Sequence, residues 1–341
     1  MNISTLGIDL AKNVFYLVAL DARHQVVVRK KLSRQQLFPY IANLPTCTIG
    51  MEACSGAHHW ARLFKQEGHR IKIIAAKFVA PLRRGVKNDW NDAKAIAEAA
   101  EREDTPTVSE KTLEQQALLS LHRARDLATK ERTATINQVR GILMEFGLVI
   151  ASGRRSFCRR ISEVLEDGEN GLPSLVRQTL NILWEQVRQA DGRVKSFDRE
   201  LEGYARENDV VQRLLTIPGV GVLTATATVA SIGNPRCFKN GRQLAAWLGL
   251  TPRQHTTGGK IKLGRITKQG NGYLRRCFTL GAKALLTRVK SLSKEDRNMD
   301  WYEKVIERRG RGRGVVAMAA RNVRLVWTLL IKNEDYRRVG V

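Results

Sequence analysis

ISTLGIDLAKNVFYLVALDARHQVVVRKK, residues 3–31, predicts three consecutive β-strands at the start of the chain. Apolar and β-branched residues form the strands, and the turn-forming segment DARH separates the last two. Downstream, the pattern predicts a short helix near 34–44, the strand TCTIGMEA, a helix at 57–68 and the strand RIKIIAA. Helices placed between strands predict a mixed α/β sheet.

A helical region follows the predicted sheet. The segment VKNDWNDAKAIAEAAERE predicts a helix from about Asn91. From about Thr112 to Arg213 the chain has long helical runs, and residues 106–205 carry 15 basic and 14 acidic side chains. Long helices with almost no net charge predict a helical hairpin or coiled-coil arm, used either for dimerisation or as a spacer.

Most of the positive charge lies near the C-terminus. The formal net charge is +25, and residues 206–341 carry 27 basic and 9 acidic side chains. The 85 residues from Val210 to Lys294 contain 15 Lys or Arg and no Asp or Glu. Clustered Lys and Arg are typical of nucleic-acid binding, because phosphate neutralisation releases counterions. Anionic membranes, acidic partners and a solvated surface are the alternatives, although a solvated surface normally mixes both signs.

Composition argues against several other classes. The 341 residues suffice for about two domains, each with its own core. No apolar run of about 18 residues predicts a membrane span, and MNISTLGIDL does not resemble a signal peptide, so we expect a cytoplasmic protein without membrane contact. The cysteines lack a CxxC pair, which favours buried thiols over disulfides or a zinc ribbon at positions 47, 54, 158, 237 and 277.

Two glycine-containing motifs in the basic region suit phosphate contact. IPGVG, residues 217–221, resembles the turn of helix-hairpin-helix DNA-binding elements, in which Gly219 and Gly221 would let backbone N–H groups approach phosphate. A plain Pro-Gly turn is the alternative. RRGRGRG, residues 308–314, predicts a flexible cationic loop for a phosphate backbone, or a solvated linker.

Four acidic residues of the predicted α/β region have positions that suit metal binding. Asp9 lies near the end of the first strand, and Glu52 ends a later strand. Asp89 and Asp92 are three residues apart at the start of a helix, so both can point toward the strand ends. Converging carboxylates repel one another unless cations bind them, and two hard cations with oxygen ligands serve phosphodiester chemistry.

The four acids also have other interpretations. Taken singly, each is more typical of a helix cap, a turn or the surface, and Asp92 suits the dipole at a helix N-terminus. Together, in the order strand, hairpin, helix, strand, they resemble the ribonuclease H-like fold and favour a metal site. The GID start also resembles sugar-kinase and actin-like ATPases, but those place Gly and Thr or Ser after the Asp, where this chain has Leu10, Ala11 and Lys12.

Three stretches of the sequence resemble one family. GIDLAKNVF, KNDWNDAKAIAEA, and IPGVG with AAWLGLTPRQHTTGGKIKLGRITKQGNGYLRR downstream are similar to transposases of the insertion sequence 110 family, in particular its insertion sequence 1111 subgroup. They also resemble the Piv-type DNA invertases. The resemblance extends over nearly the whole chain, and the C-terminal string is its most specific part.

The resemblance implies an α/β plus mostly α fold in three parts. A RuvC-like (ribonuclease H-like) domain would occupy residues 1–108, a helical coiled-coil linker 109–208, and a mostly helical C-terminal transposase domain with a helix-hairpin-helix-like element 209–341. The family has an Asp-Glu-Asp-Asp metal site, expected to hold Mg²⁺. This site maps onto Asp9, Glu52, Asp89 and Asp92.

The resemblance also implies a hydroxyl nucleophile in the C-terminal domain. In the family pattern PRQHSSGG the second serine attacks DNA, which places Thr257 at that position, with Thr256 as the alternative. A covalent link to DNA conserves bond energy for rejoining. Threonine keeps the hydroxyl, but we expect its methyl group and stiffer χ1 to hinder in-line attack. The basic residues predicted to contact nucleic acid are Arg253, Lys260, Lys262, Arg265, Lys268, Arg275 and Arg276.

Family members act as oligomers, expected to be tetramers, with an element-encoded guide RNA, called a bridge RNA, that pairs with donor and target DNA. The resemblance therefore implies an RNA-guided, Mg²⁺-dependent recombinase that excises and inserts its own element. Three alternatives stay open. They are a site-specific invertase of the Piv type, a RuvC-like metal-dependent nuclease without a covalent intermediate, and a catalytically silent nucleic-acid-binding protein.

Overall fold

The computed structural model describes residues 3–292, 294 and 296–337. Its contacts divide the chain into two units, Met1–Thr112 and Leu113–Val341, called here the N-terminal unit and the C-terminal unit. The N-terminal unit is α/β and the C-terminal unit is mostly α, as predicted. The predicted division near residue 208 lies inside the C-terminal unit and remains a prediction.

A six-stranded mixed sheet forms the N-terminal unit. Its strands are β1 (Thr5–Asp9), β2 (Val14–Leu20), β3 (Val26–Ser33), β4 (Thr48–Glu52), β5 (Arg70–Ile74) and β6 (Thr107–Val108). The strand order is β3-β2-β1-β4-β5-β6. The first three strands pair antiparallel as the predicted hairpin, while β1, β4 and β5 are parallel. The two-residue strand β6, which the sequence pattern does not predict, pairs antiparallel with β5.

Helices cover both faces of this sheet. They are α1 (Arg34–Ala42), α2 (Ala57–Gln66), α3 (Ala76–Val79) and α4 (Asp89–Glu101), with a 3₁₀ turn at Ala80–Leu82. On one face, Phe15 and Leu17 of β2 pack with Trp60 and Phe64 of α2. On the other face, Val18 and Leu20 pack against α4. Successive residues of a strand point to opposite faces, so β2 contributes to both cores.

Helix α4 lies directly on the sheet because two facing glycines leave room for it. Gly7 of β1 and Gly50 of β4 are partners in the parallel register. A Cβ atom on Gly7 would lie 2.2 Å from the carbonyl oxygen of Ala93 and 2.4 Å from the nitrogen of Ala97. A Cβ atom on Gly50 would lie 2.6 Å from the Cβ of Ala100. Small residues on both sides therefore fix how closely the helix approaches the strands.

Two long antiparallel helices, α5 (Leu113–Glu145) and α7 (Ser174–Glu207), begin the C-terminal unit as the predicted helical hairpin. Two ion pairs between the helices show that they run antiparallel, because the later residue of α5 pairs with the earlier residue of α7. Arg125 Nε lies 2.5 Å from Asp198 Oδ1, and Arg132 Nη1 lies 2.6 Å from Asp191 Oδ1. Helix α6 (Arg154–Glu166) connects them and adds apolar residues to a shared core. Coiled-coil packing of this hairpin remains a prediction.

Shorter elements build the rest of the C-terminal unit. They are α8 (Asp209–Leu215), α9 (Val222–Ile232), α10 (Gly241–Trp247), β7 (Pro252–Thr257), β8 (Lys260–Ile266), α11 (Gly272–Ala284), α12 (Val289–Leu292), α13 (Arg297–Arg309) and α14 (Arg311–Lys332), with 3₁₀ turns at Pro235–Cys237 and Leu285–Thr287. The core includes Leu244, Phe278, Tyr302 and Val323, all buried. Helices α10, α11, α13 and α14 therefore share one hydrophobic core.

The prediction of a flexible loop at 308–314 is wrong. Residues 308 and 309 end α13, and 311–314 form the first turn of α14. Only Gly310, with φ +81°, breaks the helix between them. A Cβ atom on Gly314 would lie 2.7 Å from Ile306 Cγ1, so this glycine allows the close crossing of α13 and α14. Gly314 thus serves helix packing, and Gly310 provides the positive φ at which the chain passes from α13 to α14.

Helix α14 is the one described helix long and apolar enough to cross a membrane. Its buried residues include Met318, Val323 and Val326, and they belong to the core of the C-terminal unit. Core helices of globular proteins commonly share this composition. Among the described residues the cysteines remain thiols. The prediction that they are buried is right for Cys47 and Cys277 but wrong for the exposed positions 54 and 237.

Gly7→Ala tests the contact between α4 and the sheet. The added methyl group has to displace helix backbone, so we expect a loss of about 1–3 kcal/mol in the free energy of unfolding. Urea unfolding measures the loss, and hydrogen exchange localises it to α4. Gly192→Ala in α7 is the matched control, because a Cβ there meets nothing within 4 Å. It should stabilise the protein by about 0.5–1 kcal/mol. Equal effects of the two substitutions would contradict the packing argument.

Candidate active site

The sheet and α4 bring the four predicted acids toward one end of the N-terminal unit. Asp9 and Glu52 are the last residues of β1 and β4, which lie side by side and parallel. Asp89 and Asp92 occupy the first turn of α4. The helix begins at this point because the Asn88 side chain accepts a hydrogen bond from the backbone N–H of residue 91, at 2.8 Å.

The raised pKa of Asp9 indicates that the other three carboxylates lie close enough to repel its negative charge. Burial is the largest cause raising the pKa of Asp9, from 3.8 to about 6, and the charges of Asp92, Asp89 and Glu52 raise it further. A neighbouring cation, Arg83, opposes these effects. Like charges favour the neutral acid, so this carboxyl holds its proton to unusually high pH when no metal is bound.

Arg83 is the residue near the cluster that the sequence analysis missed. Its Nε lies 2.5 Å from Asp92 Oδ1. The two side chains are 28% and 18% exposed, so solvent screens the pair only in part. A pair of arginines in LRRGVKN, shortly before Asp89, was the available signal. Spacing alone does not indicate which of the two faces the acids.

The donor set has the right chemistry for a hard divalent cation. Four carboxylates supply only oxygen ligands, and their mutual repulsion, seen at Asp9, is what a bound cation relieves. Within the part of the chain that the structure describes, no three His, Cys, Asp or Glu side chains form a ready metal-binding group. The ion pair with Arg83 already engages one Asp92 oxygen. The acids therefore suit a divalent cation in their chemistry and in their positions at the ends of β1 and β4 and the start of α4.

The predicted nucleophile lies on a β-hairpin that the sequence analysis did not identify. Strands β7 and β8 pair antiparallel, and Thr257 is the partner of Lys260 across the turn. Gly258 and Gly259 have φ values of +55° and +75°. Such a two-residue turn favours glycine at both positions, so Gly-Gly between extended segments was the available signal.

The hairpin places the two threonines on opposite faces. Thr257 shares its face with His255, because strand side chains alternate, and their cross-strand partners are Lys260 and Lys262. This face is polar and basic. The imidazole of His255 beside the predicted nucleophile is a feature that sequence reasoning did not single out.

The opposite face carries Thr256 with apolar neighbours. Its cross-strand partner is Ile261, and Gln254 is the partner of Leu263. The Gln254 amide donates a hydrogen bond to the Thr256 hydroxyl at 3.0 Å. Thr256 is thus engaged on an apolar face, whereas Thr257 lies among cations. This difference favours Thr257 as the hydroxyl that meets a phosphate.

The other predicted basic contacts differ in their surroundings. Lys260, Lys262 and Arg265 are exposed on the hairpin. Arg275 donates to the carbonyls of Leu248 and Gln269, at 2.9 and 2.8 Å.

Arg276 pairs with Asp126 and lies over the Tyr273 ring, 5.2 Å from its centroid. Arg253 Nη2 reaches the Thr267 carbonyl at 3.5 Å, and Lys268 has a positive φ of 55°. The structure gives Arg275 and Arg276 internal partners, and their contact with nucleic acid remains a prediction.

The IPGVG segment connects α8 to α9, with different environments for its two glycines. Gly219 has φ +82°, and a Cβ there would lie 2.8 Å from Leu285 Cδ1. A Cβ on Gly281 would lie 1.9 Å from the Gly219 carbonyl oxygen, so these two backbones cross closely. Gly221 is exposed at the start of α9, with nothing within 4 Å of a Cβ position. Gly219 thus lies at a close backbone crossing and Gly221 is exposed, and contact of either with nucleic acid remains a prediction.

Asp9→Asn should stabilise the metal-free protein at neutral pH. Because the folded pKa of Asp9, about 6, exceeds the value of 3.8 for an unperturbed Asp, wild-type stability falls as pH rises through this range. The amide cannot lose a proton, so the gain should vanish near about pH 4. Thermal unfolding in EDTA from about pH 4 to 8 measures it. Asp104→Asn, at an exposed position, is the control. No difference between the two variants at neutral pH would contradict the clustering of the acids.

Comparisons with known proteins match both units. A family model described as "Transposase", for the DEDD transposases of IS110, matches residues 6–147. A second, described as "Transposase IS116/IS110/IS902 family", matches residues 211–297. The first match covers Asp9, Glu52, Asp89 and Asp92, and the second covers Thr257.

Curated relatives align along nearly the whole chain. A "Probable family 20 transposase" of Pseudomonas aeruginosa is 40% identical over 338 residues, covering 99% of both chains. The transposase for insertion sequence element IS1111A of Coxiella burnetii is 40% identical over 98% of this chain and 92% of its own. The transposase for IS1328 of Yersinia enterocolitica is 34% identical over 96% and 97%. The chain therefore belongs to the IS116/IS110/IS902 family of transposases.

Proposed function

We propose that this transposase cleaves, exchanges and rejoins DNA strands with two chemically different sets of residues. The observation that carries the proposal is that one chain contains both a four-carboxylate cluster and a hydroxyl on a basic hairpin face. The N-terminal unit would act as a RuvC-like domain, in keeping with its mixed sheet and acids at strand ends. The C-terminal unit would supply the nucleophile and the cationic surface for the nucleic-acid backbone.

In this proposal Asp9, Glu52, Asp89 and Asp92 hold divalent cations, with Mg²⁺ as the physiological ion. A cation bound there would neutralise charge on the phosphodiester and polarise its oxygens. The protein itself holds the carboxylates at the carboxyl ends of β1 and β4 and at the start of α4. The contact of α4 with Gly7 and the Asn88 cap supports that placement.

Thr257 is the proposed nucleophile. Its Oγ1 forms a bond to phosphorus, the bond from phosphorus to one deoxyribose oxygen breaks, and the hydroxyl proton passes to solvent or a basic group while the leaving oxygen gains one. The phosphothreonyl link keeps the energy of the phosphodiester, so the reverse reaction rejoins strands without a nucleotide cofactor. Lys260 and Lys262 share the hairpin face with Thr257 and would stabilise the charge that develops on phosphate.

The threonine is expected to slow the reaction. Its methyl group narrows the approach to phosphorus, and its β-branched side chain has fewer accessible χ1 values than serine. Thr257→Ser should therefore retain or increase activity. Thr256 faces the other way and hydrogen-bonds with Gln254, which weakens its candidacy.

The family resemblance extends the proposal to partners. Donor and target DNA, an element-encoded bridge RNA, a cytoplasmic location and a homotetramer all follow from that resemblance. The charge distribution supports binding of either DNA or RNA, because residues 206–341 contain 27 basic and only 9 acidic side chains. Site-specific inversion is the alternative for the same two sets of residues.

The nucleophile is tested by trapping a protein–DNA adduct. Wild type, Thr257→Ala, Thr257→Ser and Thr256→Ala are incubated with element-end DNA, the adjacent noncoding RNA and Mg²⁺, and then denatured. We expect adducts from wild type and the Ser variant, a loss of about 10³-fold or more for Thr257→Ala, and little change for Thr256→Ala. DNA cleavage without any adduct would replace the proposal by hydrolysis at the carboxylates.

The basic hairpin face is tested by the salt dependence of DNA binding. Lys262→Gln should weaken DNA affinity and reduce the slope of log K against log salt by about 0.9 for one lost phosphate contact. Lys195→Gln, on the exposed surface of α7, removes the same charge elsewhere and is the control. An unchanged slope for Lys262→Gln would place the phosphate contacts away from this face.

A further inference from the structure

Arg83 lies against the acid cluster, at a position where a cation lowers the repulsion among the carboxylates. We infer that Arg83 is an internal counter-ion of the metal-free site and has to release Asp92 before a divalent cation binds there fully. The inference rests on the proposed metal site and adds a residue that governs its loading. It concerns a positioning residue, since Arg83 acts through Asp92.

The contact itself has the character of a charge interaction. Arg83 Nε and Asp92 Oδ1 are 2.5 Å apart and mostly shielded from solvent. Yet neither atom makes a hydrogen bond of acceptable geometry within the described residues. The two groups attract each other by charge and not by a directional hydrogen bond. Replacing the guanidinium with another cation therefore breaks no well-formed hydrogen bond.

The residues just before Arg83 pack against α4, so movement of the Arg83 side chain is sufficient to release Asp92. Arg83 follows the 3₁₀ turn at Ala80–Leu82 and donates its N–H to the Ala80 carbonyl at 3.3 Å. Val79 and Leu82 pack with Ile96 of α4 in one apolar cluster. The backbone of Arg83 therefore lies beside the helix that carries Asp92, and its long side chain extends to the Asp92 carboxylate.

Charge balance gives the direction of the exchange. One guanidinium, paired with Asp92, carries a single positive charge against four carboxylates. A divalent cation brings twice the charge and accepts several oxygens at once. It therefore relieves more repulsion than Arg83 does.

The test compares Arg83→Gln with Arg84→Gln, which removes the same charge from the exposed neighbouring residue. Calorimetry titrates Mg²⁺ and Mn²⁺ into each full-length protein, and thermal unfolding is recorded in EDTA and in saturating Mg²⁺. We expect Arg83→Gln to lower the unfolding temperature in EDTA and to bind both metals about 3- to 10-fold more tightly than wild type. Arg84→Gln should change neither quantity by a comparable amount.

Two results would overturn the inference. Metal affinity of Arg83→Gln equal to or weaker than wild type would mean that Arg83 assists the ligands instead of competing for them. An equal gain in Arg84→Gln would mean that net charge alone is responsible. Arg83→Lys refines the first result, because a retained positive charge should keep the affinity near that of wild type.

Asp9→Asn separates this inference from the proposed metal site. If wild type and Asp9→Asn bind metal equally, the proposed site is wrong, whatever Arg83 does. If wild type binds metal weakly or not at all, binding gained by Arg83→Gln and lost again in the Asp9→Asn/Arg83→Gln double variant supports competition. Absence of binding in Arg83→Gln as well would reject it.

Discussion

The close contact between α4 and two facing glycines is the constraint on which the acid cluster depends. Gly7 and Gly50 bring the helix backbone almost onto β1 and β4, and any larger side chain would push it away. Asp92 directly precedes Ala93, whose carbonyl oxygen meets Gly7, and Asp89 lies about one turn earlier. The distance between helix and sheet therefore sets the distance between two pairs of carboxylates. A packing requirement and a chemical requirement are met by the same contact.

The cluster is built at the expense of stability, as functional sites often are. Burial and three like charges keep Asp9 partly protonated near neutral pH, and Arg83 compensates only in part. Next to the acids, Tyr16 of β2 and Trp90 of α4 meet edge to face, with ring centroids 4.9 Å apart. The site thus stores repulsion that a bound cation would release, and metal binding, if it occurs as proposed, would stabilise the N-terminal unit.

The sequence allowed the α/β order, the helical hairpin and the position of each acid to be predicted, because each depends on local periodicity or caps. The contact of Arg83 with Asp92 could not be predicted, since it depends on how a loop turns back onto a helix. The β7–β8 hairpin was missed although Gly258 and Gly259 signalled it. Around 308–314 the glycines suggested a loop, whereas Gly314 makes room for a helix crossing. Glycine marks close approach as readily as flexibility.

The exposed hairpin has a consequence for when the enzyme can react. A two-stranded ribbon has little stability of its own in water, and every residue of β7 is exposed. Its apolar face, with Ile261 and Leu263 at 63% and 68% exposure, would be stabilised by whatever covers it. If Thr257 is the nucleophile, as proposed, its hydroxyl would gain a fixed position when nucleic acid or protein covers the hairpin. Such a delay would protect the host DNA, because a hydroxyl on an uncovered hairpin is not held in line with a phosphorus atom.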